Sequence, residues 1–451
     1  MLKNPPPTIM NPFLKLDFKN PVLLREYMAL HSPLDSKGRY LHYDKLRFRL
    51  HKELDHTIAW SLVKQARRSQ LKEVIKLGEP AQPGHLLLTP NIQRAISECD
   101  RRTTTAALEW MCNKIGEQQH LEYLLNDLVE DEAISSSQLE GAATTTQIAK
   151  DMLKRKRQPR TPSEKMILGN FKMMNFAWKN RNLPLSLDLI AELHSTGVEG
   201  IDDEKYRPGT FRQTDDVVVV DGEGNTVHIP PPADGLEERL QRLIDWVNTD
   251  HCHAKDDHYI HPLVKAIIIH FSIGFEHPFH DGNGRVARSL FYWLLFKHEF
   301  GAFRYIAIST LLKSAPAKYG KSYLYTETDN LDLTYFIDYQ CDIISRAIDA
   351  YMDQYNKTLR DIEEFNAFLY KSGLYGELSD KQRTIFQVAK NGRATNFTAQ
   401  NVRENLRCSY NTASTALNGL VEKGLFTKYK EGREWVFSML PRGDIISNWK
   451  R

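Results

Sequence analysis

Long apolar runs are missing from this chain. The longest, such as Phe291-Tyr292-Trp293-Leu294-Leu295-Phe296, fall far short of the ~20 residues that span a bilayer, so a membrane-spanning helix is not expected. Cysteine is scarce. The five present (Cys99, Cys112, Cys252, Cys341, Cys408) are scattered, odd in number and include no CxxC pair. This argues against a disulfide framework or a zinc ribbon and for a reducing compartment. The start, Met1-Leu2-Lys3-Asn4-Pro5-Pro6-Pro7, lacks the apolar stretch of a secretory peptide, so the expectation is a cytoplasmic protein with no membrane partner. No repeat recurs at a solenoid period. Nor does one charge dominate: 60 lysines and arginines face 57 acidic residues, a formal charge of +3.

What is present is ordinary for a soluble globular protein: 41% apolar and 26% charged residues over 451 positions. That length carries a prior of about three domains. The charge is unevenly placed. Residues 371–451 hold 14 basic and 7 acidic side chains, a local +7 that leaves −4 on the rest. A basic module on an acidic body points to a nucleic-acid contact, or to nothing more than a solvated surface.

The Pro-rich start reads as an extended arm, and the stretch from Thr57 as a helix broken by Pro80, Pro83 and Gly84. From Asn91 to Tyr370 helical periods dominate, with helices expected at 102–117, 119–133, 164–180, 186–195, 235–249, 261–275, 285–299, 331–355 and 357–370. One segment differs. Val217, Val218, Val219 and Val220, a turn cluster from Asp221 to Asn225, and the alternation Thr226-Val227-His228-Ile229 read as a β-hairpin. After a linker at Gly373 and Gly376 come helices at 380–390, 398–406 and 410–423 and a strand pair, the winged-helix order. The expected domains are therefore 1–90, 91–370 and 371–451.

The most informative stretch is His277-Pro278-Phe279-His280-Asp281-Gly282-Asn283-Gly284-Arg285-Val286-Ala287-Arg288. An apolar helix ends near His277, where Pro278 cannot continue it, and another starts near Arg285. Glycines 282 and 284 expose backbone amides ahead of that helix, which makes an anion-binding nest. Arg285 and Arg288 lie on one helical face, available to phosphate oxygens. Asp281 offers a hard oxygen ligand for Mg²⁺, and His277 a base for neutral pH. Together these are the parts of a phosphoryl- or nucleotidyl-transfer site; the bland alternative is a polar turn with a capping Asp.

This string resembles the signature of the Fic family, His-Pro-Phe-x-Asp-Gly-Asn-Gly-Arg-x-x-Arg, at every fixed position. The resemblance covers residues 90–350. It implies an all-α Fic helical core with a small β-hairpin flap, followed here by a C-terminal winged helix-turn-helix domain. It also implies transfer of AMP from ATP, with Mg²⁺, to a Ser, Thr or Tyr hydroxyl of a protein, the chain itself included. By that likeness His277 is the base and Asp281 the Mg²⁺ ligand. Gly282, Asn283 and Gly284 cradle the α- and β-phosphates, Arg285 and Arg288 contact the β- and γ-phosphates, and Phe279 anchors the loop. Val217, Val218, Val219 and Val220 resemble the flap that positions the target. Pairing into homodimers is a further family trait.

Upstream, Ser136-Ser137-Gln138-Leu139-Glu140-Gly141 ends a helical stretch, with Ser136 and Glu140 on one face. Read alone, Glu140 is a surface charge before a capping glycine. It resembles the family's inhibitory motif, in which Glu140 pairs with Arg288 and keeps the γ-phosphate from its guanidinium. On an alternative reading the same carboxylate instead orients water and removes AMP, making the enzyme a de-AMPylase or bifunctional. A third reading is a nucleotide-sensing regulator that binds DNA through 371–451, with Ser409 to Asn418 as the recognition helix and Lys428, Lys430 and Arg433 on the wing. The cluster His251, Cys252, His253, His258 and His261 matches no zinc spacing and reads as a structural loop.

Overall fold

A computed structural model describes residues 2–115, 130–201, 206–221, 223–252, 259–390, 396–431 and 434–449. The chain is mostly helical, with two small hairpin sheets and one of three strands. It divides into two compact units: Met1–Thr105 with Leu128–Ile348, and Ala106–Asp127 with Asp349–Arg451.

At the centre of the first unit, the helices Pro262–Glu276 and Asn283–Lys297 pack against each other. Ile267, Ile268 and Phe271 in one and Leu290, Trp293 and Leu294 in the other have no exposed surface. Such helices, apolar around most of their circumference, belong inside a core. His261 caps the first helix by accepting the Leu263 N–H, and Pro262 occupies the first turn, where its missing N–H costs nothing. The helices Pro162–Lys179 and Leu187–Val198 flank this pair. They approach closely because two glycines face each other: a Cβ on Gly169 would collide with the Gly197 carbonyl.

The helices expected at 164–180, 186–195, 235–249, 261–275 and 285–299 are present within a few residues. Several elements of the first unit are additional, among them the helices Pro21–Leu30, Tyr43–Leu46 and Pro90–Arg102. The strands Lys72–Leu77 and Gln82–Leu86 form an antiparallel hairpin where only breakers were read. Pro80 lies in its turn, and Gly84 packs beneath Ile75 and Leu333. Helices Thr146–Lys154, Ile308–Ser314 and Pro316–Glu327 are also extra. Most of the helix expected at 119–133 lies outside the described residues, but a helix runs over 130–139. The helices expected at 331–355 and 357–370 are one continuous helix, Thr334–Lys371; no glycine or proline lies near Tyr355 to break it.

In the second unit, the helices Asp380–Lys390, Ala399–Leu406 and Tyr410–Glu422 surround a core that includes Phe386, Leu417 and Phe426. The strands Phe426–Glu431 and Glu434–Met439 pair antiparallel, and Asn396–Phe397 joins the far edge of the latter. That third strand was not foreseen, since two residues are too few to show alternation.

Candidate active site

The helix Pro262–Glu276 ends at His277, whose backbone is left-handed (φ 49°, ψ 59°) while its N–H bonds the Ile273 carbonyl. A side chain in that region is strained and persists only where its surroundings hold it. Arg212, buried to 1% exposure, supplies the hold. Its Nε donates to the His277 carbonyl (2.9 Å), its Nη2 to the carbonyls of Pro231 and Glu276, and its N–H to the Pro278 carbonyl. Glu276 is fixed in turn by a buried ion pair with Arg239 (2.8 Å) and by the Gly78 N–H.

The His277 ring is half-buried. Its Nδ1 lies 3.1 Å from the Gly274 carbonyl. A carbonyl only accepts, so Nδ1 carries the proton and Nε2 keeps its lone pair. Loss of hydration lowers this imidazole more than the Gly274 carbonyl raises it, to about 4. It is a neutral base at physiological pH.

The loop after His277 is closed from within. Asn283 turns its side chain back onto Phe279, accepting its N–H (2.9 Å) and donating to its carbonyl (2.7 Å). Gly282 caps the helix Asn283–Lys297 with φ 84°, a conformation glycine alone adopts freely, and donates its N–H to Asp281 Oδ1. The first amides of that helix, at 283–285, have no intrahelical acceptor, so the helix presents its positive end at the loop. Arg285 and Arg288 are both buried to 1% exposure. Arg285 Nη1 donates to the Gly197 carbonyl (3.1 Å), but among the described residues its Nε and Nη2 find no acceptor, nor does Arg288 Nη1. Buried guanidinium donors without partners are costly. Beside the amides of a helix N-terminus they define a site for an anion that brings several oxygens.

Glu140 occupies that site. The helix over 130–139 ends in a Schellman turn, with the Ala142 N–H on the Ser137 carbonyl and the Gly141 N–H on that of Gln138, which needs the positive φ of Gly141. This turn carries Glu140 to Arg288, where Oε1 accepts from Nη2 at 2.7 Å. Ser136 completes the clamp, its Oγ accepting from Arg288 Nε (2.9 Å) and its carbonyl from Nη2 (3.2 Å). A Cβ on Gly284 would collide with Glu140 Oε1, so the carboxylate sits on the bare backbone of the nest. The helix is seated by Glu132, which accepts the Ser309 N–H and Oγ–H, and by Gln138, which accepts from Lys313.

Three contributors were not read from the sequence as site residues: His194, Arg212 and Arg239. His194 accepts the Gly209 N–H at Nδ1, so its Nε2 donates to the Asp281 carbonyl (3.0 Å). Its ring stacks on Phe279 at 3.8 Å. A histidine in the middle of an apolar helix gives no signal of this kind.

The hairpin is shorter than expected. Only Val219–Val220 pairs with Thr226–His228, through an irregular register, while Val217 and Val218 precede the strand. Val218 and Val220 are exposed. Of the expected structural loop, His253 and His258 lie outside the described residues. His261 caps its helix and bonds Asp100, and His251 packs on Trp246. Among the described residues no three His, Cys, Asp or Glu side chains gather to hold a metal, and no helix is long and apolar enough to cross a membrane.

Residues 184–295 match the Fic/DOC family. The chain is 26% identical over 181 residues to a protein adenylyltransferase Fic of Nematostella vectensis, covering 40% of this chain and 37% of that one. To the protein of the same name from Culex quinquefasciatus it is 29% identical over 182 residues, 40% and 32% of the two chains. The match thus spans about a third of these relatives' length. In fold, it resembles the crystal structure of a Fic family protein from Desulfovibrio desulfuricans (TM-score 0.51, 17% identity, 78% of this chain and 96% of that one).

Proposed function

We propose that this chain transfers AMP from ATP to a protein hydroxyl and is restrained by its own Glu140. The observation that carries this reading is the pair of buried arginines with unpartnered donors, set over a glycine nest beside a neutral His277. His277 Nε2 takes the proton from a Ser, Thr or Tyr hydroxyl. The oxygen attacks the α-phosphorus, the bond to the β-phosphate breaks, and pyrophosphate leaves. The 283–285 amides and Arg285 neutralise charge on the phosphates, and Arg288 does so once Glu140 has left. Asp281 fits a Mg²⁺ site of the kind that needs one or two carboxylates and completes its shell with substrate phosphates; when bound, the ion would neutralise phosphate charge there. The exposed hairpin Val219–His228 suits an extended target segment added at its edge.

With α-labelled ATP, Glu140→Gly should raise incorporation by about tenfold or more, the scale of one charged hydrogen bond lost from the resting state. His277→Ala in that background should abolish it. Incorporation that does not change on Glu140→Gly would sink the restraint, and incorporation that survives His277→Ala would sink the base.

For the second unit we propose a winged-helix module that binds DNA. Asn411, Thr412 and Thr415 are exposed on the helix Tyr410–Glu422, and the exposed Lys428 reaches that helix through Asn418 (3.3 Å).

A further inference from the structure

The flap strand Thr226–His228 is tied down by one side chain that the proposed chemistry does not use. His228 is buried to 9% exposure. Its Nε2 lies 2.9 Å from the Phe275 carbonyl and its Nδ1 2.8 Å from Glu327 Oε2. Both are acceptors, so both ring nitrogens must carry a proton, and the ring in this arrangement is an imidazolium beside a carboxylate. Its surroundings favour that charge. Phe275 lies in the last turn of the helix Pro262–Glu276, and Glu327 is the last residue of the helix Pro316–Glu327. Two helix C-termini, each the negative end of its dipole, therefore converge on one ring.

We propose that His228 is a positioning residue for the target-binding flap, an imidazolium latch fastening the flap strand to the end of the helix that carries His277 and to Glu327. This rests on the reading of the hairpin as the target-positioning flap.

The root of the flap has other anchors, because Arg212 and Arg239 hold the carbonyls of Pro231 and Pro232. Among the described residues, His228 is the one side chain of the strand 226–228 that hydrogen-bonds to the helical body. The charged and titratable groups facing it are Glu327 on one helix and Glu276 and His277 at the end of the other. Burial works against the charge on His228, but Glu327, the Phe275 carbonyl and Glu276 outweigh it, raising the group above the usual imidazole value. The sign follows. The latch is fully made below the ordinary pKa of about 6.5 and loosens as pH rises through the raised value. The same charge helps keep His277 neutral, so a fastened flap and a proton-free base go together.

The test is amide hydrogen exchange of residues 217–221 and 225–229 in the full chain, corrected for intrinsic rates, between about pH 6 and pH 9. Wild type should lose about tenfold in flap protection across this range, the scale of one charged hydrogen bond lost. Glu327→Gln keeps the shape and an acceptor but removes the charge, and should flatten that dependence. His228→Ala should be unprotected throughout. Protection that is pH-independent in wild type, or unchanged in Glu327→Gln, would overturn the latch. This readout needs no turnover, so a latch without AMP transfer would refute the proposed activity alone.

Discussion

At the residue scale the reacting pair is set by hydration and hydrogen bonding. His277 is not poised near neutrality as a free imidazole would be. Burial brings it to about 4, so it stays an acceptor well into acid. The Glu140→Gly protein should therefore keep its rate down to about pH 5, and an acid limb near 6.5 in its kcat/KM profile would contradict this. Arg285 contributes through a planar fork, one arm on Gly197 and the rest toward the ligand. Arg285→Lys, which keeps charge and loses the fork, should raise the KM for ATP about ten- to a hundredfold in steady-state assays of the same background. The residues from His277 to Arg288 were legible in the sequence because base, carboxylate, glycines and arginines are contiguous. His194 and Arg212 were not, because their partners are backbone carbonyls 87 and 65 positions away.

At the scale of elements, two contacts decide how the site is held. Gly169 lets the helix Leu187–Val198 approach closely enough for the Gly197 carbonyl to meet Arg285. Gly169→Ala has no room for its methyl and should cost about 1–3 kcal/mol of stability, read as a lower denaturation midpoint, with weaker ATP binding. A variant as stable as wild type would remove this contact from the account. The helix over 130–139 is seated by Glu132 on the Ser309 N–H and Oγ–H. Burial raises this carboxyl above its ordinary range, against those two bonds and the charge of Arg288. Glu132→Gln gives up one of the two strong acceptors without touching the anion site. It should raise labelled-AMP incorporation a few-fold, less than Glu140→Gly does, as one hydrogen bond is worth about 1 kcal/mol. Reading elements from sequence worked where apolar periodicity was strong and continuous, as at 262–276. It failed for the hairpin Lys72–Leu86, where Pro80 lies in the turn and Pro83 and Gly84 lie within the second strand, so all three look like breakers. It also failed for the helix Pro316–Glu327, polar on much of its surface.

At the scale of the whole molecule, two compact units divide the labour proposed for the chain. The basic balance of residues 371–451 was visible from composition, but the third strand of that unit was not, since its pairing partner lies 40 positions on. If that unit binds DNA, affinity of the full chain for duplex should fall linearly on a log–log salt plot, and Lys428→Ala with Lys430→Ala should reduce the slope by about 2. Salt-insensitive binding, or none, would assign it to protein docking. The central claim concerns the first unit, and intact-protein mass spectrometry tests it most directly. After incubation with ATP and Mg²⁺, the Glu140→Gly chain should gain the mass of one or more AMP groups, while wild type gains little and Glu140→Gly/His277→Ala none. No gain in Glu140→Gly, or an equal gain with His277 removed, would contradict the account.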